Sequence, residues 1–330
     1  MGVVRRWTCL APLTGQGLVP FHLTPFTPAM ADSRICVATF GEALWDILPK
    51  GIFMGGAPVN VAYHLFRHGV RAVPVTAVGS DFLGEEFIRR AGEWDVDRRF
   101  IAQLRDRPTG TVRATLDAAG NASYRFAREV AWDHIPVLPA LLRRPEPSAV
   151  VYGTLALRSV ANRRALGLLF RAWPDTLRVL DLNLRPPFDR ASAVSFALEH
   201  AQLVKLNDQE LAALTGTKER GRGDLEDVTR RFATRHHLTR VCVSAGAQGA
   251  GMLWHGTWYW EAGRPVKVSD TIGAGDAFLA GLLSALFVRK ASPQAALTAA
   301  CRVGEFVAAA DGATSAYRCD RDGQLRPLSS

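Results

Sequence analysis

The sequence predicts an α/β fold, a mostly parallel sheet with helices on both faces and a small β-rich appendage. Three observations carry that prediction. From Ser33 onward, short apolar runs alternate with segments of helical periodicity, the pattern of a parallel sheet wrapped by crossover helices. The segment Thr109–Ala127 breaks the alternation with two β-rich runs joined at Gly120 and Asn121, a hairpin signal. The chain has 330 residues, 48% of them hydrophobic, which is enough for one large domain.

In chain order, residues 1–31 contain no acidic residue, show no periodicity and are interrupted by Pro12, Pro20, Pro25 and Pro28. They lack the continuous apolar stretch of a secretory signal. This arm is expected to be disordered or non-native, with Met30 as an alternative start. The folded domain is expected over 32–318, with 319–330 as a C-terminal tail. Strands are predicted at Ile35–Phe40, Ala72–Val78, Ala149–Tyr152, Leu177–Leu182, Leu203–Lys205 and Arg240–Ser244. Helices are predicted at Val59–His68, Phe82–Trp94, Ala161–Ala172, Ala191–His200, Asp208–Leu214, Asp224–His237, Gly275–Arg289 and Pro293–Ala310. Gly69 closes the first of these helices, and Asn207 is placed to cap the one beginning at Asp208.

Composition narrows the function classes. The formal charge is +9, yet only five of the forty basic residues are lysines. The arginines are dispersed in pairs such as Arg89–Arg90 and Arg163–Arg164, which reads as a solvated surface and not as a nucleic-acid patch. That field still favours an anionic nucleotide. No apolar run is long enough to span a membrane. The five cysteines are scattered, odd in number and without metal-ligand spacing, so reduced thiols in a cytoplasmic protein are expected.

The chemistry concentrates in two stretches. Residues 270–283 read D-T-I-G-A-G-D-A-F-L-A-G-L-L. Gly273, Ala274 and Gly275 form a small-residue turn opening a helix, where unpaired N–H groups make an anion site. Asp276 would repel a phosphate there unless it serves to take a proton from an attacking hydroxyl; the alternative is a plain helix cap. About 200 residues upstream, residues 55–79 read G-G-A-P-V-N-V-A-Y-H-L-F-R-H-G-V-R-A-V-P-V-T-A-V-G. There Gly55 and Gly56 permit close backbone approach to a ligand, and Asn60 begins a helical pattern.

Together these stretches resemble the paired signatures of the ribokinase/PfkB family of carbohydrate and nucleoside kinases, over about Ile35 to Tyr317. The resemblance implies a ribokinase-like fold and transfer of the γ-phosphate of ATP to a sugar hydroxyl. Asp276 would be the base and Gly273, Ala274 and Gly275 the anion hole. It implies a β lid, from about 45–57 and 108–129, that closes over the sugar and excludes water.

Further residues take roles on the same basis. Asp181, Asn183 and Arg185 in D-L-N-L-R occupy alternate positions, which in a strand puts them on one face, either meeting ligand or forming a structural ion pair. In the resembled family such a stretch borders the sugar and phosphate site. Asn207 and Glu210 match an N-x-x-E motif that positions Mg²⁺ and the nucleotide phosphates through water, and they equally match a capping box. Ser244 and Gly246 would lie beside the nucleotide. Asp270, with the loop around Gly312, would form a monovalent-cation site for K⁺. The opening G-E-A-L-W-D resembles bacterial fructokinase-like members, with Asp46 accepting bonds from two sugar hydroxyls and Gly55, Gly56 and Asn60 on the far side of the ring. The apolar lid entry I-L-P-K-G-I-F-M departs from that pattern and puts fructose itself in question. The expected substrate is fructose or a related ketose, with 2-keto-3-deoxygluconate, ribose and nucleosides as alternatives. A catalytically silent sugar- or nucleotide-binding regulator is the reading from another class. The resemblance also implies a homodimer formed through the lid. None of His64, His68, His134, His200, His236, His237 or His255 has a nucleophile partner, so none is read as catalytic.

Overall fold

The structure is a computed structural model that describes residues 35–48, 51–94, 96–116, 122–217, 222–320 and 322–328. The arm 1–31 and the Gly120–Asn121 turn lie outside the described residues.

Alternation along the first strand sets the layering. Strands β1 (Cys36–Phe40), β4 (Arg71–Gly79), β5 (Ile101–Leu104), β8 (Ala149–Gly153), β9 (Leu177–Asp181), β10 (Leu203–Asn207), β11 (Arg240–Ser244), β12 (Gly249–Trp254) and β13 (Thr257–Ala262) form one sheet. Its order is β13-β12-β11-β10-β9-β8-β1-β4-β5. Every pairing is parallel except β11 with β12 and β12 with β13. Val37, Val151, Val179 and Leu203 face one layer, where they pack on Val61 and Leu65 of α1 (Ala57–Arg67) and Leu279 and Leu283 of α8 (Ala274–Phe287). The intervening Ala38, Val150, Leu180 and Val204 face the other layer. They meet α4 (Val160–Ala172), α5 (Ala191–His200) and α7 (Arg222–Arg235). A side chain's parity in its strand therefore decides which helix it meets. Each fully buried Val or Leu contributes roughly 1.5–3 kcal/mol, so one register is strongly preferred.

The expected appendage is a second sheet of β2 (Leu44–Leu48), β3 (Gly51–Gly55), β6 (Gly110–Leu116) and β7 (Ala122–Phe126), in the order β3-β2-β6-β7. Its base is anchored to the main domain by Arg158. That guanidinium donates to Asp133 at 2.8 Å and to the Ala127 carbonyl at 2.7 Å, and lies 4.0 Å over the Trp132 ring. The remaining helices are α2 (Phe82–Glu93), α3 (Pro139–Leu142), α6 (Asp208–Thr215) and α9 (Pro293–Ala308). A short pair, β14 (Tyr317–Cys319) with β15 (Leu325–Pro327), closes the chain.

The predicted elements are present with their ends moved by one or two residues. One shift matters. The strand expected at Leu177–Leu182 ends at Asp181, because Asn183 adopts a left-handed backbone with φ 43°. Asn tolerates that region, so the chain turns there and does not stay extended. Asp181, Asn183 and Arg185 consequently do not share one strand face. Strands β5, β13, β14 and β15 had no counterpart in the sequence reading. No helix among the described residues is long and apolar enough to cross a membrane.

Candidate active site

Parallel strands bring their C-terminal ends to one edge of a sheet, and the loops there enclose a cavity of about 1030 Å³. β9 ends at Asp181, β10 at Asn207 and β11 at Ser244, and all three line it. So do Asp46 from the lid, Asn183, Arg185, Gly56, Gly246, the Gly273–Ala274–Gly275 turn and Asp276. Gly55, Asn60, Glu210 and Asp270 stand behind this wall, each one contact away from it.

The glycine pair is explained by its neighbours. A Cβ on Gly55 would sit 2.3 Å from Asp46 Oδ2, and one on Gly56, whose φ is +112°, would sit 2.3 Å from the Glu42 carbonyl. A side chain at Gly56 would strike the Glu42 backbone, and one at Gly55 would displace the Asp46 carboxylate. Burial pushes the Asp46 carboxyl up to about 6, against the pull of the Arg185 charge.

Asp276 is buried in the first turn of α8. The N-cap of that helix is Gly273 at φ +78°, and no side chain caps it. The plain capping role is therefore excluded for Asp276. Its Oδ2 instead accepts from Asn60 Nδ2 at 2.9 Å, a bond between residues 216 apart in sequence. Burial, reinforced by the neighbouring Asp181, raises its pKa to about 7. Such a carboxylate exchanges a proton near neutral pH. The Ala274 N–H turns back toward the Thr271 carbonyl at 3.3 Å, so within the turn the Gly275 N–H is the better-directed donor.

Sequence reasoning missed the site residue Lys205. Its ammonium donates to Asp181 Oδ1 at 3.0 Å, the two residues being register partners on β10 and β9. It also lies 3.0 Å from where a Cβ on Gly275 would be, directly against the turn. Burial pulls its pKa down, but Asp181, Glu210 and Asp276 more than offset this, so the charge is retained. The signal was present in K-L-N-D-Q-E: Lys205 precedes Asn207 by two and shares its strand face. Glu42 was also missed. It is buried on the cavity wall with Oε2 unpartnered, and burial raises its pKa.

Asn207 and Glu210 form the reciprocal capping box. Asn207 Oδ1 accepts from the Glu210 N–H at 2.7 Å, and Glu210 Oε2 from the Asn207 N–H at 2.8 Å. Glu210 Oε1 accepts from the Leu184 N–H at 2.7 Å, tying the loop that carries Asn183 and Arg185 to α6. Burial, only partly countered by Lys205, raises the Glu210 pKa. Asp270 Oδ1 accepts from the Ile272 N–H at 3.0 Å, at the entry to the Gly273 turn.

A buried acid at a helix N-terminus, an ammonium beneath the same turn and the Asp46 carboxyl on the same cavity fit proton abstraction next to a phosphoryl group. Comparison with known proteins agrees. The sequence profile of the pfkB family carbohydrate kinases matches residues 51–318. The chain belongs to the pfkB family of carbohydrate kinases. It is an ATP-dependent sugar kinase with a ribokinase-like fold. The fructokinase of Escherichia coli is 27% identical over 315 residues, covering 87% of this kinase and 97% of that protein. The crystal structure of a Vibrio cholerae fructokinase, in its fructose-, ADP- and calcium-bound form, superposes with a TM-score of 0.72 at 25% identity, over 86% of this kinase and 96% of that chain. The 2-dehydro-3-deoxygluconokinase of Thermotoga maritima superposes at 0.74 with 16% identity, over 84% of this kinase and 95% of that chain, a likeness of fold alone.

Proposed function

We propose that this kinase transfers the γ-phosphoryl group of ATP to a hydroxyl of fructose or a related ketose, with Asp276 as the base. The observation that carries this reading is the buried Asp276 carboxylate, held by Asn60 with a pKa of about 7 at the mouth of a helix N-terminus. At neutral pH about half of it is ionised and ready to accept the sugar proton as the oxygen attacks. The Gly275 N–H of the Gly273–Gly275 turn faces the transferring oxygens, and the Lys205 charge adds to its attraction. Asp46 accepts from sugar hydroxyls on the lid side, with Gly55, Gly56 and Asn60 shaping the far side. Asn183 and Arg185 border the sugar and the transferred phosphoryl group. Asn207, Ser244 and Gly246 lie along the nucleotide. The two fructokinase relatives support a ketohexose over ribose or a nucleoside.

The donor set fits a hydrated Mg²⁺ held through water. Both Glu210 oxygens already accept backbone N–H bonds, while the buried Asp181 Oδ2 is without a partner and can accept from the ion's water shell. The ion would neutralise charge on the bound phosphates. Asp270 and the loop at Gly312 are the corresponding place for K⁺. A homodimer through the lid is the corresponding assembly. Asp276→Asn is expected to lower kcat by roughly 10²–10⁴ while leaving ATP affinity within a few-fold. Coupled ADP release with fructose, at saturating ATP, measures it, and wild-type turnover in the purified variant would remove Asp276 from the role of base.

A further inference from the structure

Helix α1 reaches toward the Gly273 turn twice, and only the Asn60 contact belongs to the acid. One helical turn further on, His64 is fully buried. Its Nε2 lies 2.9 Å from the Ala313 carbonyl oxygen, and its Nδ1 lies 3.0 Å from the Tyr317 hydroxyl. Beside it, the Tyr63 hydroxyl donates to the Ser315 carbonyl at 3.0 Å. A carbonyl oxygen only accepts, so Nε2 must carry the proton. Burial draws the imidazole pKa down to about 4, so the ring is neutral, Nδ1 is an acceptor and the Tyr317 hydroxyl donates to it. The tautomer and the direction of both bonds follow from the partners.

The same Ala313 meets the Gly273 turn. A Cβ on Gly273 would lie 2.6 Å from both the Cα and the carbonyl oxygen of Ala313. Gly273 thus rests against Ala313, the residue whose carbonyl oxygen His64 holds. Helix α8 has no side-chain cap, so contact with this loop bears on where its first turn sits.

We propose that His64, oriented by Tyr317, is a positioning residue for phosphoryl transfer: by holding the Ala313 carbonyl it fixes the wall on which the Gly273–Gly275 turn rests. The inference deepens the reading of that turn as the phosphate site and depends on it. Replacing the imidazole by an apolar group of similar size keeps the packing but leaves the Ala313 oxygen and the Tyr317 hydroxyl without partners. The loop can then rotate, and displacement of a reacting group by about 1 Å costs up to about 10²-fold in rate.

His64→Leu, His64→Gln and Tyr317→Phe are compared with Asp276→Asn in the coupled assay, alongside melting temperatures. His64→Leu is expected to lower kcat about 10- to 100-fold with the sugar KM within about threefold of wild type, a displacement effect on the transition state. His64→Gln, whose amide N–H can donate to the Ala313 oxygen, is expected to regain most of that loss, and Tyr317→Phe to fall between. A kcat for His64→Leu within twofold of wild type, with Asp276→Asn inactive, overturns the positioning role and leaves the base intact. Equal losses in the Leu and Gln variants also overturn it, since the hydrogen bond would then not be the cause. Full turnover in Asp276→Asn instead removes the reading on which the inference stands. Should His64→Leu fail to fold, His64→Gln and Tyr317→Phe decide: a Gln variant near the wild-type rate with a lowered kcat in Tyr317→Phe supports the proposal, and both at the wild-type rate or both inactive overturns it.

Discussion

Asn60→Leu isolates the link between α1 and the acid. The substitution keeps the branched outline of the side chain but removes the Nδ2 donor that lies 2.9 Å from Asp276 Oδ2. A hydrogen bond to a charged group contributes about 1.5–3 kcal/mol, and 1.36 kcal/mol corresponds to one pKa unit. Without that donor the ionised carboxylate loses stabilisation, so the pKa of Asp276 rises from about 7 by roughly one to two units. The sign is fixed, because the donor favours only the charged form. At pH 7 the ionised fraction falls from about a half to between roughly a tenth and a hundredth, a five- to fiftyfold loss of rate. The loss should be recoverable by alkali. The assay is the pH dependence of kcat/KM for the sugar between pH 5.5 and about 9.5, a range set by the expected limbs. The wild type should show an ascending limb near 7, and the variant one near 8–9 with a comparable plateau. An unmoved limb with only the plateau lowered would refute the reasoning, leaving Asn60 its place beside the sugar and no part in tuning the base.

Two more outcomes test the site from other sides. Asp46→Ala is expected to raise the sugar KM at least tenfold and the ATP KM little, since each charge-assisted bond contributes about 1.5–3 kcal/mol; varying each substrate in turn checks it, and equal effects would make Asp46 a structural residue of the lid. Asp276→Asn should raise the melting temperature by a few degrees at pH 8 and leave it unchanged at pH 4. The folded pKa of about 7 lies above the usual 3.8, so this residue favours folding when protonated and loses that contribution as pH rises between those values; scanning calorimetry at the two pH values measures the difference.

Periodicity and glycine turns make most of the fold legible in the sequence. The alternation of apolar runs and helical segments specified the parallel sheet, because side-chain parity alone determines which layer each residue meets. The turn at 273–275 and Asp276 announced themselves by local chemistry. Short-range chemistry could not reveal strands β5 and β13, whose residues carry no strong alternation and are held by neighbours in the sheet. Nor could it reveal the break after Asp181, where the left-handed Asn183 overrides the extended pattern of D-L-N-L-R.

What the sequence by itself determined is the class of fold, the turn that opens α8 and the acid within it, since each depends on residues adjacent along the chain. Only the tertiary structure decided how that acid is tuned. The donor to Asp276 comes from Asn60 on another helix, and the ammonium against Gly275 comes from Lys205 on a neighbouring strand. The wall behind Gly273 is an alanine carbonyl held by His64, 249 residues away. Burial and long-range hydrogen bonds set a pKa and the position of a turn, and both arise only when segments distant in sequence are packed into one low-dielectric site.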